Sequence, residues 1–407
     1  NRMHRRLIAT LTAALMLIVG LMGTVSAEKW VPVDEFTIGN VLHMTGDVAL
    51  TGEKQRKGLE LILDEVNAAG GINGVLPIKV IYEDDLGTNP GAISALNKLL
   101  YDHEVIVTFA TVRSTMVHAL SPIIQEEEIP AIFGGSAWSL SELRNPWMFR
   151  VRCDDRTVGA AMAKFLVENL GHEKIAALHD SDAFGTGGYQ ETSRALKEFH
   201  GIEPITVQKY ASGTKDYTAQ WMAIRDSGAT AVFGWGTRSE DDGIILRQRK
   251  ELGLDNLDFV GSNSYSTGTT RDIAGEMAYG VYSLADFSWN TTDPYQQEYM
   301  KRFEEKWGEL PDGDCTWTSV GLLVLVDAIE RADVVKVENG KTYMRPLKET
   351  RERIRDALRE VRDLQTPLGK ANCDVWQNMI HSINVIQVVP EGERYISTVT
   401  VDFEPYK

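Results

Sequence analysis

The sequence predicts an α/β fold of two Rossmann-like lobes, each built on a parallel sheet, and three observations lead there. The segment 38–85 reads as strand, loop, helix, turn and strand. The same alternation continues to about Arg152 and begins again after Asp154-Asp155. Each run has the length of an ordinary domain, and 43% hydrophobic residues in a chain of 407 suffice for two cores.

The elements follow in order. A short apolar strand over 38–42 runs into Thr45-Gly46-Asp47 and then Thr51-Gly52. Leu59, Leu61, Ile62 and Val66 recur at helical spacing, and that helix ends in the Gly- and Asn-rich turn 67–74. Strands are expected over 78–82, 105–109 and 131–133, with helices over 91–101 and 114–127 between them. The second run gives helices over 157–170, 188–199, 218–226 and 241–252. They alternate with strands over 174–179, 205–209, 229–234 and 258–261, the signature of parallel sheets with right-handed crossovers. Past residue 285 the rhythm changes to helices over 293–307, 316–332 and 349–363, then a hairpin around Pro390-Glu391-Gly392. No period of 20–50 residues suggests a solenoid.

Residues 1–27 read as a secretory signal peptide. Arg2, Arg5 and Arg6 precede an uncharged apolar stretch from Leu7 to Met22, and Val25-Ser26-Ala27 offers small residues for cleavage. A retained membrane anchor is the rival, but the apolar run is just short of a full span. Arg5-Arg6 leaves the twin-arginine route open. The formal net charge of −16 argues against nucleic acid or an anionic membrane as partner. Cys153, Cys315 and Cys373 fit neither a zinc knuckle nor a redox pair; export would permit one disulfide among them, its pairing open.

Catalytic and metal signatures are missing. The eight His show no HxxxH pair and no Cys partner at metal spacing, and there is no GxSxG elbow. Phe184-Gly185-Thr186-Gly187-Gly188 lacks the pattern of a dinucleotide loop. No metal, cofactor or enzymatic activity is therefore expected. What remains is six small polar loops at the carboxyl ends of strands. In the first lobe they contain Thr45, Ser114 with Thr115, and Gly135-Ser136-Ala137-Trp138. In the second they contain Asp182 with Phe184, then Trp235, and Asn263 with Tyr265. Hydroxyls and free N–H groups at helix starts suit an anion such as a carboxylate, and the aromatics suit an apolar or planar portion. The alternatives are helix capping for each hydroxyl and core packing for each ring.

Taken with TGDVALTGEKQRKGLELILDEVNAAGGINGVLPIKVIYEDD, SPIIQEEEIPAIFGGSAW, DAFGTGG and GTKDYTAQWMAIRDSGATAVFGWG, the chain resembles the periplasmic leucine/isoleucine/valine-binding proteins over about residues 34–403. These are the type I solute-binding proteins of ABC importers. The resemblance implies a flytrap of two lobes joined by three crossings. The lobe-one parts would be 34–154 and 287–366, lobe two would begin with 155–286, and 367–407 would supply the hinge return and its end. It implies a periplasmic monomer that carries a small solute to a membrane permease with ATPase subunits. Ser114 and Ser136 fall where relatives hold an amino-acid carboxylate, and Gly135 where a backbone carbonyl meets the ammonium. Phe184 stands where many relatives have Tyr, and Trp235 near another aromatic contact. Asn263 stands where amino-acid binders often have Glu, which removes a charge-assisted bond that Asp182 would have to supply. Amino acids, aromatic acids and other organic acids all stay open as ligands. A sensing module that controls a regulatory partner is the competing functional class.

Overall fold

The computed structural model describes residues 30–400; the expected signal peptide lies outside them, as does the chain end past Thr400. Two sheets dominate. The first is fully parallel, with strands in the order Ile78–Asp84, Phe36–Leu42, Val107–Phe109, Ala131–Phe133 and Met148–Arg150. Phe36 to Leu42 pairs with Ile78 to Asp84 on one side, and Ile38 to Asn40 with Val107 to Phe109 on the other. The first strand is buried along nearly its whole length, as a strand covered by helices on both faces must be.

The second sheet repeats this order with Thr206–Tyr210, Ile175–Asp180, Ala231–Trp235, Asp258–Gly261 and Tyr282–Ala285. Two antiparallel strands, Ser382–Val389 and Gly392–Thr400, complete it. The chain passes between the sheets three times, after Arg150, after Ala285 and before Ser382. Between the last two passages, helices Pro294–Trp307 and Gly313–Arg331 return to the first lobe and pack on helix Ala49–Ala68. Val320, Leu322, Val324 and Leu325 are fully buried there, each worth about 1.5–3 kcal/mol of transfer free energy. Trp317 meets Phe109 of the sheet at 6.2 Å between ring centroids.

Several differences from the sequence reading have physical reasons. Met148–Arg150 and Tyr282–Ala285 are strands that sequence pattern did not separate from the crossings they lead into. The helix expected over 157–170 is Asp155–Lys164 followed by a π turn, Phe165–Asn169. Val335–Glu338 and Lys341–Met344 form a hairpin capped by Val31–Pro32; their charged, half-exposed residues hide the pattern, although Asn339-Gly340, both at positive φ, is its turn. Cys153, Cys315 and Cys373 are buried and unpaired.

Candidate functional site

In each sheet the second strand in sequence lies on one side of the first and the third on the other. Loops leaving the first and third strands therefore part and leave a crevice at the carboxyl edge. The two crevices face each other, and between them lies a cavity of about 60 Å³, partly open to solvent. Lobe one contributes His43 and Val48 from the first loop, Thr51 from the first turn of helix Ala49–Ala68, Val112 and Arg113 from the third strand's loop, Ser114 at the start of the next helix, and Ser136. Lobe two contributes Phe184, the run from Gly236 to Glu240, and Asn263 with Ser264. Arg152 of the first crossing and Asp314 of helix Gly313–Arg331 complete the wall.

Of the ten candidates read from the sequence, Ser114, Ser136, Phe184 and Asn263 meet at this cavity. Ser114 opens helix Ser114–Glu126, and its hydroxyl accepts from the Ala137 N–H at 3.2 Å, tying two lobe-one loops together. The amide oxygen of Asn263 accepts from the Asp286 N–H at 3.0 Å, which leaves the amide nitrogen toward the cleft. The other six do not line the cavity. Thr45 is exposed and donates to Asp84 Oδ2 at 2.5 Å. Thr115 accepts from the Ala183 N–H of the other lobe at 3.3 Å, an interlobe contact. The Gly135 carbonyl accepts from Arg150 Nε at 2.8 Å. Trp138 is sandwiched instead, with the Arg156 guanidinium 3.1 Å from its ring centroid and Trp376 edge-on at 4.8 Å.

Asp182 caps helix Ala183–His200 through the Gly185 N–H and accepts from the Thr237 hydroxyl, both at 2.8 Å. It acts on the wall only through Thr237. Trp235 is core: its N–H donates to Thr192 Oγ1 at 2.9 Å and its ring lies under Phe184. A Cβ on Gly188 would sit 2.0 Å from that ring, so the glycine is what lets the indole lie there. Helix capping explains Asp182 and core packing explains Trp235, the two alternatives the sequence left open.

Charged residues that sequence reasoning passed over dominate the wall: Arg113, Arg152, Arg238, Glu240 and Asp314, with His43 beside them. Arg113 sits inside a loop already singled out, and Arg238 and Glu240 follow Gly236-Thr237 into helix Ser239–Glu251. Asp314 was hidden in what reads as a turn but is the first turn of a helix capped by Asp312. Arg152 pairs with Asp286 at 2.6 Å, joining the first and second crossings. The Asp312 carboxylate accepts from Lys54 at 2.9 Å and from the Gly268 N–H of lobe two at 3.0 Å. Its pKa falls below the usual range despite burial, because Lys54 and the Gly268 N–H stabilise the charge. Burial and the adjacent Asp312 push Asp314 up to about 8. Burial likewise carries Asp155 to about 8, against the pull of the Ser136 hydroxyl and Arg150. Thr111, just before this wall, is a buried β-branched residue at φ 66, a strained conformation in the loop that presents Arg113 and Ser114.

Such a wall can bind a carboxylate through guanidinium, hydroxyl and helix-start N–H groups, with acids nearby for a cationic group. Comparisons with known proteins agree with this architecture. A Leu/Ile/Val-binding protein homolog from Brucella abortus is 28% identical over 300 residues, spanning 73% of this chain and 79% of that one. The leucine-binding protein LivK of Thermotoga maritima superposes with a TM-score of 0.79 at 21% identity, covering 90% of this chain and 99% of its own. A solute-binding protein from R. palustris in complex with benzoate also superposes at 0.79, with 16% identity and 90% and 96% of the two chains covered. The model of the periplasmic binding protein family matches residues 35–393, and the chain belongs to that family.

Proposed function

We propose that this protein is an extracytoplasmic receptor that binds a small carboxylate-bearing solute between its lobes and delivers it to the permease of an ABC importer. One observation carries the reading: Arg113, Ser114, Ser136 and Arg152 converge on one cavity at the paired carboxyl ends of two parallel sheets. Ser114 and Ser136 bind the carboxylate, and Arg113 neutralises it. An amino acid fits because Glu240 lies on the same wall and answers an ammonium, the role a Glu would play at Asn263. An organic acid without an ammonium is the second reading. Phe184 gives the wall one aromatic face for it, and a relative of the same fold holds benzoate.

The test begins with mass spectrometry of solute released from purified protein. A thermal-shift screen of amino, aromatic and aliphatic acids follows, since ligand at about 100 times Kd stabilises by about 2.7 kcal/mol. Replacing Ser136 with Ala should weaken the best acid by about 1–3 kcal/mol. If no carboxylic acid raises the melting temperature, the reading fails.

A further inference from the structure

One wall residue has no place in carboxylate binding as proposed. His43 directly follows the strand Phe36–Leu42 of lobe one, is 1% exposed and lines the cavity. Its Nδ1 lies 2.8 Å from Asp85 Oδ1 and 2.7 Å from Oδ2. Asp85 is itself fully buried and held by the Gly87 N–H at 2.8 Å. In the neutral ring, a carboxylate at Nδ1 keeps the ring proton there and leaves Nε2 as an acceptor. That Nε2 is buried and has no hydrogen-bond partner. On the same cavity wall, Asp314 Oδ2 is buried and equally without one. Only Val48, Val112 and Phe184 give the wall large apolar surface.

We propose that His43, oriented by Asp85, is a specificity-determining residue that accepts a hydrogen bond from the ligand's non-carboxylate end. The solute is then a carboxylic acid bearing a hydroxyl or amide N–H donor rather than a plain branched aliphatic or unsubstituted aromatic acid. This rests on the receptor reading above. An alkyl group against Nε2 leaves that atom buried and unsatisfied, whereas a donor of the same size satisfies it. Sites built to bond a polar group reject the analogue lacking it more strongly than apolar sites reject an added hydroxyl.

The test uses matched pairs in calorimetry on the purified protein: valine with threonine, leucine with asparagine, benzoate with 4-hydroxybenzoate. The polar member of at least one pair should bind roughly tenfold or more tighter. His43→Asn keeps a group for Asp85 but removes the one at Nε2, and should erase that preference while the carboxylate still binds. His43→Gln, which reaches the Nε2 position, should restore it. Equal affinity within every pair that binds, or a preference untouched by His43→Asn, overturns the proposal while leaving the receptor reading intact. Binding of no acid in the panel or in the thermal-shift screen overturns both. If the variants fail to fold, the wild-type pairs decide alone.

Discussion

Arg150 Nε donates to the Gly135 carbonyl oxygen at 2.8 Å, and this bond sets the shape of the loop that carries Ser136. The same fully buried guanidinium donates to the Ala137 carbonyl and to Ser141 Oγ at 2.8 Å, and to Asn378 Oδ1 at 2.6 Å. Asn378 lies on the third passage between the sheets, so one side chain joins the Ser136 loop to that passage. The Gly135 carbonyl, which the family resemblance offered to a ligand ammonium, thereby serves the scaffold.

Arg150→Met should destabilise the protein by about 3 kcal/mol or more, because at least two buried carbonyls lose their donor at about 1–3 kcal/mol each. Calorimetry should show the melting temperature falling by several degrees, with affinity for the bound acid falling too. A variant that melts within about 1 °C of the wild type would show that water or neighbouring groups replace the guanidinium at no cost.

The two raised carboxyls predict how stability follows pH. Asp155 and Asp314 hold protons up to about 8 in the folded chain, whereas the unfolded chain releases them near the ordinary carboxylate value of 3.8. Between those limits the folded state binds more protons, so their contribution is fully present below the unfolded value and is lost as pH rises through about 8. Asp314→Asn should therefore melt higher than the wild type at pH 9 and lose that advantage near pH 4. A tenfold change in proton affinity corresponds to about 1.4 kcal/mol, so the gap should exceed about 1 kcal/mol. Parallel pH profiles for the two proteins would refute the assignment.

Most strands of the two sheets were legible because buried parallel strands are short apolar runs between amphipathic helices, and Ile38 to Leu42 is such a run. The site was legible only in its loops. Ser114 and Ser136 stand at helix starts or glycine turns that local sequence marks. Trp235 carries the same local signature, yet it turns inward because Gly188 and Thr192, more than forty residues away, make a slot and a partner for it. The charged wall was less visible still. Arg113, Asp314 and His43 look like ordinary surface residues until the lobes face each other, and no spacing rule brings residue 43 to residue 314.

Asp312 links the lobes through Lys54 and the Gly268 N–H, and its loss should be felt in both stability and closure. Asp312→Ala strands a buried ammonium, a change that costs about 3–5 kcal/mol for a broken buried pair. Asp312→Asn keeps an acceptor for Gly268 and should cost less. Urea denaturation of the two variants checks the order, and equal midpoints would argue that Lys54 finds water as an equivalent partner.

Gly313 tests the closed arrangement without touching a charge. It is the first residue of helix Gly313–Arg331, packed in lobe one, and it faces Asn263 of lobe two. A Cβ there would lie 2.4 Å from Asn263 Nδ2 and 2.5 Å from Oδ1, inside any permitted contact. Asn263 cannot turn aside freely, since Oδ1 also holds the Asp286 N–H. The added methyl is therefore relieved most easily by separating the lobes, which leaves each lobe's own core intact. Gly313→Ala should bind the acid found for the wild type at least tenfold more weakly, with a melting temperature for the unliganded protein close to that of the wild type. Small-angle scattering with saturating acid should show a larger radius of gyration than the liganded wild type. Unchanged affinity together with an unchanged radius would mean that the lobes do not need this contact to close, and the wedge argument would be lost. If binding weakens while the radius stays the same, the methyl acts on the Asn263 amide instead of on closure, and Asn263→Ala should then reproduce the loss.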